Sequence, residues 1–328
     1  MKSVEKKVVD EYVTALYRLL LRRQPDEGGF QAWRGLFSDA GLGGFSQAIE
    51  GFVESSEFKN LYISPHSTSL EEFREFDFSA LGMDVLNALF EKTSSYWRGS
   101  ASSPEEIYWS VLTDDHYRGV LSEDVIAEFL STGKGDISRI KKICKEIDFE
   151  FDACGEFLEY GCGVGRLVVN LPDSIKKVNC VDFSSAHLAE AEANLRRLKP
   201  QVICSMHKIE SVYDLCKLPQ NQDMVHSLIV LQHNTPPVIE KTVDSLLRLL
   251  APGGIAILHI PIAKASYQFD VQAYLGDNRS GQSMEMHILP KANICRVARG
   301  AGCEIVYSYC DGGCGGDIYS EMLVFRRV

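Results

Sequence analysis

The feature that most constrains this chain is the run Glu159-Tyr160-Gly161-Cys162-Gly163-Val164-Gly165-Arg166, which closes an apolar stretch beginning at Glu156. An apolar strand ending in three alternating glycines predicts strand, tight turn and helix, the helix here being Val164 to Leu171. Gly161, Gly163 and Gly165 let the backbone turn sharply and admit a ligand where Cβ atoms would stand in the way. The spacing is GxGxG, not the GxGxxG that cradles a dinucleotide pyrophosphate. Glu159, two positions before the first glycine, would repel a pyrophosphate and suits a cationic amino group.

Beyond the loop the chain keeps a strand–helix rhythm. Strands are expected at 177–183, 202–207, 224–231 and 255–260, with helices at 184–198, 236–250 and 290–299 between or after them. Ser184 supplies an N-cap, and Pro236 stands in a first helical turn. Pro252-Gly253-Gly254 reads as a break. The last two strands, 303–309 and 322–327, have no helix between them and can pair antiparallel at an edge. The expected class is α/β: a Rossmann-like, seven-stranded, mostly parallel sheet with helices on both faces.

A small all-helical domain precedes it. Val9, Tyr12, Val13, Leu16, Leu19 and Leu20 repeat at helical spacing, Pro25-Asp26 separates a second helix carrying Phe30 and Trp33, and 45–58 reads as a third. Leu16-Tyr17-Arg18, Leu20-Leu21, Arg23, Pro25-Asp26, Gly29, Trp33 and Ser56-Glu57-Phe58 resemble a bacterial domain of unknown function found in proteins linked to cell-surface glycans. Arg22 stands where that pattern has glycine. The resemblance implies no catalytic residue; a helical docking module that recruits a protein partner is the plainer reading. The domains expected are therefore 1–64, a linker with one helix near 80–96 over 65–104, and 105–328.

Composition narrows the partners. Hydrophobic residues make up 45% and charged residues 24% of 328, and the formal net charge is −11, which argues against a nucleic-acid polyanion. No apolar run approaches the roughly 20 residues that span a bilayer and no export signal opens the chain, so a cytoplasmic location is expected. Ten cysteines occur, none before Cys144. Several lie in apolar strands and read as small buried hydrophobes. A metal site from Cys295, Cys303, Cys310 and Cys314 is the alternative, but no CxxC pair accompanies them, and no metal is expected.

Asp182 ends the second strand. A carboxylate there can accept both ribose hydroxyls; a helix N-terminal cap is the competing role, since Ser184 and Ser185 come next. The glycine loop, this acid, the apolar fourth strand and the turn 250–254 together resemble the class I S-adenosylmethionine-dependent methyltransferases over 105–328. A bacterial, glycan-associated subgroup has a similar lead-in, Tyr108-Trp109-Ser110-Val111-Leu112-Thr113 with Tyr117-Arg118, and similar Gln232-His233 and His259-Ile260-Pro261 segments. Glu159 replaces the more usual aspartate. The resemblance implies S-adenosylmethionine as cofactor, held by Glu159, Gly161, Cys162, Gly163, Gly165, Arg166, Asp182 and Phe183. It also implies that the lead-in helix packs over the cofactor, with Trp109 and Arg118 in contact, and that Glu210 lies near the adenine. Trp109 as plain core and Arg166 as a surface residue are the alternatives.

Ligands of open α/β sheets bind beyond the carboxyl ends of the strands. His233 and His259 fall at that edge and His287 in the insertion after it, so all three are candidate general bases. The expected acceptor is a small molecule or a glycan, methylated at a hydroxyl oxygen. The segment Leu231-Gln232-His233-Asn234 lacks the Asn-Pro-Pro-Tyr type of motif used on base nitrogens. A recruitment module that binds the cofactor without turnover, and a nicotinamide oxidoreductase, are the competing functions; the intact loop disfavours the first, and its spacing with Glu159 the second.

Overall fold

The computed structural model describes residues 3–20, 25–40, 48, 51, 52, 55, 75–264, 267–311, 314 and 318–328. The chain divides into two units, Met1–Glu72 and Phe73–Val328. In the first, α1 (Ser3–Leu20) and α2 (Glu27–Ala40) enclose a small core of Val9, Val13, Leu16, Tyr17, Ala48 and Phe52. Phe52 meets Tyr17 edge-on at 4.9 Å and lies stacked on Trp33 at 4.7 Å. Asp26 Oδ1 accepts the Gly29 N–H (2.8 Å) and so caps the first turn of α2. The helix expected at 45–58 lies mostly outside the described residues, as do the side chains of Leu19 and Leu20.

The second unit opens with α3 (Met83–Ala101), then α4 (Glu123–Ser131) and α5 (Gly133–Glu146). The alternation runs β1 (Glu156–Tyr160), β2 (Lys177–Asp182), α6 (Ser185–Leu198), β3 (Ile203–Lys208), β4 (Gln222–Ser227), α7 (Pro236–Arg248) and β5 (Leu250–Lys264). It ends with α8 (Val271–Gly276), α9 (Lys291–Gly300), β6 (Cys303–Cys310) and β7 (Ile318–Arg327). The seven strands form one sheet in the order β3-β2-β1-β4-β5-β7-β6, parallel except that β7 runs antiparallel to both β5 and β6. The order reverses between β1 and β4, which is where such sheets open a crevice for ligands.

Strand periodicity divides the core in two. Leu158, Tyr160, Val225, Leu258 and Phe325 face α3, α7 and α9; their neighbours Phe157, Met224, Ile257 and Val324 face α4, α5 and α6. The helix expected in a linker is thus part of this unit's core. Leu89 and Phe90 of α3 are fully buried against the sheet face, where truncating either would cost about 2–5 kcal/mol.

Three local expectations need correction. Val164 to Leu171 is not a regular helix but a series of turns with one 3₁₀ turn, Val168–Asn170. Gly165 sits at φ +83°, outside right-handed helix, and Asn170 Nδ2 occupies the Arg166 carbonyl (2.8 Å). Pro252-Gly253-Gly254 does not precede β5 but lies inside it, where the register against β4 shifts between Gln222 and Met224. The lead-in over 103–111 is a chain of turns rather than a helix. Among the described residues no helix is long and apolar enough to cross a membrane.

Candidate active site

A cavity of about 370 Å³ opens at the carboxyl ends of β1, β2 and β4. Gly161, Cys162 and Gly163 form its floor, whereas Gly165 does not line it and lies instead against Ala191 and Val168. The Gly161 and Cys162 amides donate to the Val181 carbonyl (2.8 and 3.2 Å), which ties the loop to β2. Gly161, Gly163 and Gly165 all have positive φ, at +74°, +52° and +83°. Protein packing demands glycine as firmly as any ligand would: a Cβ at Gly161 would strike Val230, and one at Gly163 would lie 2.6 Å from Val111 Cγ2. The loop is therefore clamped between the segment after β4 and the lead-in.

Three carboxylate or imidazole groups line this end. Glu159 is buried; its Oε1 is 3.9 Å from His226 Nδ1, while among the described residues Oε2 has no hydrogen-bond partner. Burial pushes its carboxyl above the ordinary range, and His226 and Arg166 offset this only in part. An ionised Glu159 would thus gain from a cation in the cavity. Asp182 is also buried, and its Oδ2 accepts the Gly163 N–H (3.0 Å) and Oδ1 the Ser184 N–H (2.8 Å). Ser184 itself caps α6 through His187 N–H (3.2 Å). The helix cap is thus Ser184 and not Asp182, which braces the glycine loop and the Ser184 amide while facing the cavity. His187 completes the group, with Nδ1 3.7 Å from Asp182 and Nε2 2.9 Å from Ser110 Oγ.

The other expected contacts divide. Cys162, Phe183 and Arg166 line the cavity. Arg166 is held by Asp136 (2.7 Å) and Thr132 Oγ1 (3.2 Å) and is not a free cation. Trp109 and Arg118 do not line it. The Arg118 guanidinium lies 4.3 Å over the Trp109 ring and pairs with Glu106 (2.9 Å). Because the lead-in is turns, it presents Ser110, Val111, Leu112 and Thr113 to the cavity instead. Glu210 is exposed and paired with Lys208 (2.7 Å), away from the lining.

Of the three histidines only His233 lines this cavity. Its Nδ1 lies 2.9 Å from the Glu285 carbonyl and its Nε2 3.3 Å from Gln232 Nε2. Since a carbonyl can only accept, Nδ1 carries the proton, and the Nε2 lone pair accepts from the Gln232 amide. Burial first, then repulsion by His287 and His259, holds the imidazole down to about 4. His259 is fully buried behind the wall, with Nε2 3.0 Å from Asp311 Oδ2 and 4.0 Å from Cys314 Sγ. Burial opposes its proton, but Asp311 and Cys314 outweigh burial and raise it to about 9. His287 faces a second hollow in the insertion. It accepts or donates at Tyr267 Oη (2.7 Å) and Glu285 Oε2 (3.2 Å), inside a ring of Tyr267, Phe269 and Tyr274. His259 and His287 are thus supports of the wall and the insertion, and do not share the cavity with His233.

Sequence reasoning missed Trp97 from α3, Met284 and Met286 from the insertion, and Cys314, which all line the cavity. The paired methionines at i and i+2 were the available signal. Among the described residues no group of three or more His, Cys, Asp or Glu side chains gathers as a metal site, so the four C-terminal cysteines do not converge.

Residues 157–254 match the methyltransferase domain family. Residues 2–62 match a domain of unknown function. A curated relative, tRNA N(3)-cytidine methyltransferase METTL2 of Bos taurus, is 30% identical over 106 residues, which are 31% of this chain and 28% of the relative. The match thus spans little more than a quarter of that protein. Similar solved structures include magnesium protoporphyrin IX methyltransferase from Synechocystis PCC 6803 with bound SAH, at 18% identity, TM-score 0.49, and coverage of 73% of this chain and all of that one. Another is the N-methyltransferase NodS from Bradyrhizobium japonicum WM9 in complex with S-adenosyl-L-homocysteine, at 14% identity, TM-score 0.45, and coverage of 72% and 98%. The matched methyltransferase domain contains the glycine loop, Asp182 and His233, the residues that form the cavity floor and one wall.

Proposed function

We propose that the chain transfers a methyl group, in the cytoplasm, from S-adenosylmethionine to a hydroxyl oxygen of a small-molecule or glycan acceptor. The observation that carries this reading is the unpartnered, buried Oε2 of Glu159 beside three positive-φ glycines. A buried carboxylate without a partner is costly, and a cationic amino group at that point would relieve it. Glu159 and the glycine loop would hold the amino-acid portion of the cofactor, and Asp182 the ribose. When bound, the cofactor supplies an electrophilic methyl on a sulfonium, so transfer to oxygen leaves a neutral thioether and releases the hydroxyl proton. The protein's own part would be alignment, which supplies several kcal/mol through proximity, and proton uptake by His233 Nε2 once the acceptor hydroxyl replaces the Gln232 amide there (3.3 Å).

The tRNA acceptor of the curated relative is not carried over. Less than a third of this chain shares that match, and a net charge of −11 opposes a polyanion. The glycan option is supported by the resemblance of residues 1–64 to a domain of glycan-linked proteins. Isothermal calorimetry with S-adenosylmethionine and S-adenosylhomocysteine tests the reading. Micromolar or tighter binding of either is expected, and folded protein that binds neither would sink it.

A further inference from the structure

The acceptor end of the cavity has a character of its own. Among the described lining residues, the formally charged side chains are Glu159, Arg166 and Asp182, all at the glycine-loop end, and Arg166 is already paired with Asp136. Another part of the lining gathers Trp97, His233, Met284 and Met286, the Glu285 carbonyl between the two methionines meeting His233 Nδ1 (2.9 Å). The Trp97 and His233 rings stand 4.6 Å apart, inclined at 54°. Polar groups there are already engaged by the protein. Cys314 Sγ donates to Gln232 Oε1 (3.3 Å), Asn234 Nδ2 to the Val230 carbonyl (3.2 Å), and Thr93 Oγ1 to carbonyls of its own helix.

We infer that this end takes an uncharged aromatic ring bearing a hydroxyl group, packed against Trp97, Met284 and Met286, with its hydroxyl donating to His233 Nε2 in place of the Gln232 amide that Nε2 otherwise accepts (3.3 Å). This deepens the methyl-transfer reading and rests on it. An anionic acceptor would lose its hydration with no cation to receive it. A sugar would bring several hydroxyls to a wall whose donors are committed, leaving them unpaired. A planar ring needs only apolar contact, and methionine and tryptophan supply it. A phenol, whose ordinary pKa is about 10, is also a far stronger acid than an aliphatic alcohol and so asks less of an imidazole that burial holds down to about 4.

The test uses the full chain loaded with S-adenosylhomocysteine and three probes: 2-naphthol, 2-naphthoate and methyl glucoside. Binding is followed by calorimetry and by naphthol fluorescence. The expected result is saturable binding of 2-naphthol alone, weakened at least fivefold by Trp97→Ala and by Met284→Ala. Met284 is 44% exposed, so its truncation leaves the fold intact even where loss of the buried Trp97 does not. Tighter binding of methyl glucoside or 2-naphthoate than of 2-naphthol overturns the inference. So does naphthol binding indifferent to Met284→Ala, and so does no naphthol binding by protein that binds S-adenosylhomocysteine. Failure to bind S-adenosylhomocysteine itself would instead refute the methyl-transfer reading, and this inference with it.

Discussion

Asp182→Ala separates the bracing role that the structure shows from the ribose contact proposed for the same carboxylate. Its oxygens accept the N–H groups of Gly163 (3.0 Å) and Ser184 (2.8 Å) in a site where Asp182 is 5% exposed. Removing the acceptor strands two buried donors at about 1–3 kcal/mol each. Because both belong to one network, their sum is not additive, and about 2–4 kcal/mol of lost stability is expected. For a domain near 250 residues, at about 2–4 °C per kcal/mol, the melting temperature should fall by about 5–15 °C. If the same carboxylate also holds a ribose, cofactor affinity falls by about 1.5–3 kcal/mol, roughly tenfold to more than a hundredfold. Loop distortion could mimic that loss, so the assay is a cycle: wild type and Asp182→Ala, each titrated with S-adenosylhomocysteine and its 2′-deoxy analogue, below the variant's melting point. A ribose contact predicts coupling of about 1 kcal/mol or more between the mutation and the missing hydroxyl. Equal losses for both ligands would refute ribose binding and leave Asp182 as a brace of the loop and of α6.

The geometry gives three more expected outcomes. Burial raises the Glu159 carboxyl above its ordinary 4.5, so its ionised form costs stability. Glu159→Gln should therefore melt no lower than wild type at pH 8 while losing at least tenfold in S-adenosylhomocysteine affinity. In wild type that affinity should weaken as pH falls toward the raised value, and in the variant it should stay flat; calorimetry from pH 8 to 5 checks both. His259 is raised to about 9, so its contribution is fully present below its ordinary 6.5 and is lost as pH rises through 9. Melting temperatures from pH 6 to 10 should fall in wild type and fall less in Asp311→Asn; parallel curves would refute the pairing. Gly163→Ala places a Cβ 2.6 Å from Val111 at φ +52°. The left-handed backbone alone costs about 1–2 kcal/mol, and an unchanged thermal melt would show that the loop is not clamped as described.

The sheet was legible because its evidence is periodic. The alternation that sends Leu158 and Phe157 to opposite cores, and the Ser184 cap on α6, are local properties that any strand or helix of that sequence would express. The floor of the cavity was legible for a related reason: Glu159, the glycines and Asp182 lie at strand ends, and strand ends converge by topology. What failed was anything decided by packing between distant segments. Trp109 carries the same aromatic signal as Trp97, yet the turns of the lead-in send Trp109 under Arg118, while α3 lays Trp97 beside His233. The helix expected after Gly163 gave way because Gly165 is left-handed and the Asn170 side chain takes the Arg166 carbonyl that a helical turn would use.

The histidines carry the same lesson into chemistry. Sequence position brings all three to one sheet edge, but a base needs a lone pair on the cavity side, and hydrogen bonds decide that. Tyr267 and Glu285 occupy both nitrogens of His287, and Asp311 takes His259 Nε2 behind the wall. His233 is fixed the other way: its Nδ1 meets a main-chain carbonyl of the insertion, and its Nε2 accepts only from the amide of the cavity-lining Gln232 (3.3 Å). The side chain of that same residue, Glu285, holds His287 and Tyr274. One insertion residue thus anchors the aromatic group with its carboxylate and sets the His233 tautomer with its backbone, while Met284 and Met286 on either side of it face the cavity. The segment that shapes the acceptor pocket is therefore the segment that orients its base, and a change of acceptor by substitution there cannot leave the position of His233 untouched.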